Sequence, residues 1–158
     1  MKKERTNVMR LLDSLEVQFK EHTYPADTAL SGTEVAELIG EDPGKVFKTL
    51  VIVGASHEHY VFVIPVSSEL NLKKAAKDVG EKSIEMFRSR ELLPLTGYIH
   101  GGCSPIGMKK FFTTTIDESA ILYDAIIFSA GKIGFQVDVA PTDLESVVPL
   151  KYEDITVR

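Results

Sequence analysis

Two apolar runs, VFKTLVIVGA at 46–55 and HYVFVIPV at 59–66, are dense in β-branched and aromatic side chains and stand three polar residues apart. Branched side chains pack well on a pleated surface, so the pair predicts two strands rather than two helices. The Ser56-His57-Glu58 spacer is long enough for a tight reversal, which makes the pair an antiparallel hairpin. Such a hairpin is stable only when something covers it. The opening segment offers a cover: Val8, Leu11, Leu12 and Leu15 recur at i, i+3, i+4 and i+7, and Thr6 stands where an N-cap belongs.

Further helices announce themselves by their ends. Ser31-Gly32-Thr33-Glu34 ahead of Val35, Ala36, Leu38 and Ile39 is a capping-box pattern, and Gly40 is placed to stop the turn. NLKKAAKDVG at 71–80 repeats the logic, with Asn71 as N-cap, Leu72, Ala75, Ala76 and Val79 inward, and Gly80 as terminator. A short strand near 83–87, a helix near 89–95 and the strand FFTTTI at 111–116 follow. DAIIFSA and GFQVDVA then flank Gly131-Lys132-Ile133-Gly134 as a second hairpin, ahead of a last helix from Pro141-Thr142-Asp143. Helices mixed with mostly antiparallel strands make an α+β fold, a mixed sheet or partial barrel with flanking helices.

The chain has 158 residues, no internal repeat and no Gly/Ser/Pro-rich linker, so 1–158 is expected to be one domain. One cysteine, Cys103, excludes an internal disulfide framework and a zinc ribbon. The N-terminal MKKERTNVMRLLDSLEV is interrupted by Arg10, Asp13 and Ser14 and lacks the apolar core of a signal peptide. No stretch approaches the roughly 20 apolar residues of a membrane span. The expected setting is cytoplasmic, with no membrane partner. A net charge of −5 is opposite to the positive field with which autonomous nucleic-acid binders displace counterions, so tight binding to bare RNA or DNA is not expected. Lys73–Lys74–Lys77 and Lys109–Lys110 are read as solvated faces.

Three constellations carry chemical interest. With Gly131–Gly134 as the loop, Ser129 opposes Gln136 and Ile127 opposes Asp138, so Ile127, Ser129, Gln136 and Asp138 share one face. That polar face either meets water or forms the wall of a site. Lys48 interrupts the apolar row Val46, Leu50, Ile52, either as a snorkelling edge lysine or as a cation held in a cleft to orient an anion or oxyanion. GGCSPIG at 101–107 is either a tight surface turn or a loop that presents amides to a carbonyl or anion. His100 near Cys103 raises a cysteine-nucleophile reading, against which stands the small buried thiol. His57 and His59 lack the further ligands a metal site needs, and no metal is expected.

The order of KTLVI around Lys48, TGYIHGGCSPIGMKK from Thr96 and IIFSAGKIGFQVDV from Ile126, with HTY at 22–24 and ELNLKKAAK at 69–77, resembles the YbaK/EbsC family of aminoacyl-tRNA deacylases. The likeness spans nearly the whole chain and includes the editing domain inserted in some bacterial prolyl-tRNA synthetases. It implies trans-editing: hydrolysis of the ester of mischarged Cys-tRNA(Pro), and of Cys-tRNA(Cys), with the substrate thiol attacking its own carbonyl and no cofactor. Cysteine and proline are similar in size, so a synthetase pocket rejects the wrong one weakly and a second hydrolytic site supplies the difference. The alternatives are a deacylase for another small amino acid, such as Ala-tRNA(Pro), or a non-catalytic domain that binds tRNA ends or partners.

The resemblance places Lys48, Gly101 and Ser129 in catalysis. Tyr24, Thr49, Gly102, Ser104, Gln136 and Asp138 fall to substrate binding, with Lys48 and Thr49 at the 3′-terminal adenosine or the ester. Where the family often reads KRGLDIEL, this chain has Ile133 for the arginine and Gln136 for the first acid, while Asp138 retains the second. Prolyl-tRNA synthetase is the implied partner, holding the tRNA that an acidic deacylase cannot hold alone.

Overall fold

The computed structural model describes residues 4–25 and 30–157; Met1–Lys3 of the N-terminal stretch lie outside them. Helix α1 (Asn7–Ser14) precedes strand β1 (Lys20–Thr23) and helix α2 (Gly32–Leu38). The long hairpin β2 (Phe47–Gly54) and β3 (His59–Pro65) is followed by α3 (Leu72–Val79), β4 (Ile84–Met86), α4 (Ser89–Thr96) and β5 (Thr113–Asp117). A 3-10 turn at Glu118–Leu122 leads into the second hairpin, β6 (Ile126–Ser129) and β7 (Phe135–Val139), then α5 (Pro141–Val147) and β8 (Lys151–Glu153).

Local chemistry sets the ends as the sequence implies. The Thr6 hydroxyl accepts from the Met9 N–H, Ser31 and Glu34 close a reciprocal capping box, and Asn71 accepts from the Lys74 N–H while Gly80 ends α3 in the left-handed region at φ 74°. Leu15 and Leu72, expected on apolar faces, are half exposed. Leu15 is the C-cap of α1 and no longer follows its helical stripe, and Leu72 opens α3 at its first position.

The strands form two sheets, ordered β1-β7-β6 and β4-β2-β3-β5-β8. Four neighbouring pairs are antiparallel, but β3 with β5 and β5 with β8 are parallel. The second hairpin has the expected register, Ser129↔Gln136 and Ile127↔Asp138. The five-stranded sheet is covered on both faces, which accounts for the unbroken apolar run of β3. On one side Val51, Val61, Val63 and Ile116 pack against Met9 and Leu12 of α1 and Phe128 and Val137 of the small sheet. On the other, Ile52, Phe62 and Ile64 pack against Ala75 and Ala76 of α3 and against Ile155. Among the described residues the sheets meet at one parallel bridge, Val46↔Ile127. They diverge beyond it, so the barrel is not closed.

Candidate active site

A cleft of ≈ 350 Å³ opens where β2 and β6 part. Its size suits a small group rather than a macromolecule. Strand β2 contributes Lys48 and Thr49, the small sheet contributes Ser129 and Gln136, and Tyr24 and Gly101 complete the polar wall. Six of the nine expected site residues therefore converge. The polar hairpin face is buried: Ser129 and Gln136 are 7 % and 6 % exposed.

The other three stand apart. Gly102 is behind the wall, where an added Cβ would come within 3.1 Å of the Ile133 backbone nitrogen, so the loop is pressed onto the second hairpin. Ser104 is fully buried and its hydroxyl accepts from the Ile106 N–H within the loop. Asp138 shares its strand face with Gln136 but lies beyond the cleft, its Oδ2 3.4 Å from His22 Nε2 and 3.7 Å from Lys45 Nζ. Strand alternation fixes a face; it does not fix how far along that face a cavity extends.

The glycine loop is held by its own bonds. Gly102 N–H donates to the Ile99 carbonyl at 3.0 Å, closing a turn whose third residue, Gly101, has φ 87°. An L side chain resists that conformation. Tyr98 anchors the far side by donating from its hydroxyl to the Ile106 carbonyl at 2.6 Å. Burial, with the neighbouring Cys103, pushes its phenol up to about 12.

Cleft electrostatics rest on Lys48, which forms no ion pair among the described residues. Thr49 Oγ1 and Gln136 Oε1 are enclosed without a hydrogen-bond partner. Orphaned buried polar atoms cost about 1–3 kcal/mol each and recur where a ligand supplies the missing partner. Cys103 also lines the cleft, but burial pushes its thiol up to about 12, which keeps it protonated near neutral pH and a poor nucleophile. His100 reaches the same cavity from the turn. The apolar wall, Met86, Phe87 and Leu92, comes from the end of β4, the residue after it and α4, and had no separate signal in the sequence. Away from the cleft, His22, Glu41 and Asp138 bring ligand atoms within 4.8 Å of one another. The Lys45 ammonium already supplies a positive charge there, so the group reads as an ion-pair cluster.

The model of the aminoacyl-tRNA editing domain family matches residues 26–147. This chain belongs to that family. It is 45 % identical over 156 residues to EbsC of Enterococcus faecalis, a protein named for Cys-tRNA(Pro)/Cys-tRNA(Cys) deacylation, covering 98 % of this chain and 95 % of that one. A proline–tRNA ligase of Shouchella clausii is 33 % identical over 76 residues, 48 % of this chain and 13 % of the ligase. A solved structure titled for a trans-editing enzyme for prolyl tRNA synthetase superposes with a TM-score of 0.82 at 24 % identity, covering 99 % of this chain and 100 % of that one. At that identity the superposition speaks for the fold, and the sequence matches speak for an aminoacyl-tRNA deacylase.

Proposed function

We propose that the protein is a free-standing editing enzyme that hydrolyses the ester of Cys-tRNA(Pro), with Cys-tRNA(Cys) as a second substrate. The observation that carries the reading is the cleft itself, a cavity of amino-acid size lined by Lys48, which forms no ion pair among the described residues, and by the orphaned polar atoms of Thr49 and Gln136. The 45 % identity to EbsC supports the choice of substrate.

Burial holds the Cys103 thiol of the wall protonated near neutral pH. The substrate supplies the nucleophile. Its own sulfur, having given up its proton, attacks the ester carbonyl carbon. A C–S bond forms, the bond from that carbon to the ribose 3′-oxygen breaks, and the departing oxygen takes a proton. Water then opens the thiolactone to free cysteine. The protein's share is to hold the ester in the attacking geometry and to stabilise negative charge on the carbonyl oxygen, work suited to Lys48 and the Gly101 loop. Ser129, Gln136 and Tyr24 border the bound group. Gly102 and Ser104 hold the loop behind the wall, and Asp138 lies beyond the cleft with His22 and Lys45.

The setting is the cytoplasm, where the single domain 1–158 acts on tRNA held by prolyl-tRNA synthetase. Among the described residues no helix is long and apolar enough to cross a membrane. Deacylation assays with Cys-tRNA(Pro), Cys-tRNA(Cys) and Ala-tRNA(Pro) test the reading. Turnover of the cysteinyl esters, with the alanyl ester slower by at least about tenfold, is the expected result. Preference for Ala-tRNA(Pro) would move the activity to another amino acid, and no turnover of any ester would leave only a binding domain.

A further inference from the structure

Beside the cleft, the register of β2 leaves a stretch of one edge without a partner strand among the described residues. The Val46 carbonyl accepts from the Val66 N–H at 2.8 Å, in phase with the pairs Phe47↔Pro65 and Lys48↔Ile64, so the even-numbered residues exchange bonds with β3. Odd-numbered residues turn their N–H and C=O to the opposite edge. There the Val51 carbonyl accepts from the Phe87 N–H at 3.0 Å, and β4 pairs from Ile52 onward. At the other end the Val46↔Ile127 bridge closes the edge, with Ile127 N–H donating to the Lys45 carbonyl at 3.1 Å. Thr49 lies between the two closures. No strand among the described residues pairs with its N–H or C=O, and its Oγ1 is enclosed without a partner.

Backbone groups withdrawn from water are almost always paired, so an open donor and acceptor on a cleft wall suit a ligand of matching spacing. In an antiparallel pair, facing residues exchange both bonds when each presents N–H and C=O to the other. An α-aminoacyl ester carries the same two groups on one residue.

We propose that Thr49 holds the aminoacyl group as a one-residue antiparallel strand, its carbonyl accepting from the α-ammonium and its N–H donating to the ester carbonyl oxygen. This rests on the deacylase reading and adds the determinant that selects α-amino esters whatever their side chain. The N–H bond strengthens as the carbonyl oxygen gains charge, so Thr49 serves both binding and the chemical step. The side chain of the bound amino acid is left to the remaining wall, which separates recognition of the α-amino ester from recognition of cysteine.

Two measurements test it. The first compares wild-type hydrolysis of cysteinyl-tRNA(Pro) and 3-mercaptopropionyl-tRNA(Pro), which keeps the thiol and lacks the ammonium. The second follows hydrogen exchange of the Thr49 amide with saturating 3′-cysteinylamino-3′-deoxyadenosine, whose amide link resists hydrolysis. The expected results are a loss of at least about tenfold with the deaminated ester and a slowing of Thr49 exchange by at least about tenfold. Thr49→Pro, which removes the N–H at an unpaired edge, loses at least about 100-fold, and Thr49→Val, which removes the hydroxyl alone, loses less. If Thr49→Pro does not fold, the exchange measurement still decides. Equal rates on the two esters, or unchanged Thr49 exchange with the analogue bound, overturn the proposal. Thr49 protection without turnover of Cys-tRNA(Pro) overturns the deacylase reading and leaves the grip standing. Failure of the analogue to bind overturns both.

Discussion

Lys48 is half-buried, lines the cleft and belongs to no core cluster, so truncating it removes a charge without opening a cavity. Lys48→Ala is expected to lower single-turnover deacylation by at least about 100-fold, the scale of a lost oxyanion partner. Its melting temperature should stay within a few degrees of wild type, as calorimetry would record. Cys103 carries a pH prediction. Its folded-state value, about 12, lies above the ordinary 9.0, so between those values the unfolded thiol releases its proton while the folded one retains it. Stability therefore falls as pH rises through that window, and Tyr98 adds to the fall above its ordinary 10.0. Urea unfolding at pH 8 and pH 10.5 should show lower stability at the higher pH and a smaller difference in Cys103→Ala.

At the scale of elements, the glycine loop is stapled by Tyr98. Tyr98→Phe removes the bond to the Ile106 carbonyl and leaves a buried acceptor unpaired, at a cost of about 1–3 kcal/mol measurable by denaturant titration. Helix α2 borders the cleft through Ser31, Gly32 and Val35, and Ser31→Ala, which breaks its capping box, should cost about 1 kcal/mol. Caps of this kind, at Thr6, Ser31 and Asn71, were legible in the sequence because each involves neighbours within four residues. The β6–β7 register was legible because its loop glycines count the strand positions outward. Strand β1 was not: KEHT has no apolar alternation, and it is a strand because β7 offers it an edge. Strand β8, three residues long, is held by parallel pairing with the distant β5. The same division runs through the site. Lys48 could be read as a cation interrupting an apolar row and Ser129 and Gln136 as a shared polar face, whereas Met86, Phe87 and Leu92 meet them only because β4 docks on part of β2. Asp138 was carried to the wall by its face, and its position along the strand takes it instead to His22 and Lys45.

For the whole molecule, a net charge of −5 argues against strong independent capture of tRNA, whose phosphates favour a positive partner. Such an enzyme gains from meeting its substrate on a synthetase, so adding prolyl-tRNA synthetase should raise deacylation of Cys-tRNA(Pro) at sub-saturating substrate while binding to free tRNA stays weak. The cleft supports this division of labour, since it admits a small group and is built where two sheets diverge. The central claim is that the protein positions and polarises while the substrate provides the nucleophile. Its most direct test is the single-turnover rate on Cys-tRNA(Pro) and Ser-tRNA(Pro), measured in the wild type and in Cys103→Ala. A hydroxyl near neutral pH is a far weaker nucleophile than a thiol that readily ionises. The account predicts rapid loss of cysteine, slow loss of serine by at least about 100-fold, and the same ratio in Cys103→Ala; similar rates on the two esters, with activity abolished in a folded Cys103→Ala, would contradict it.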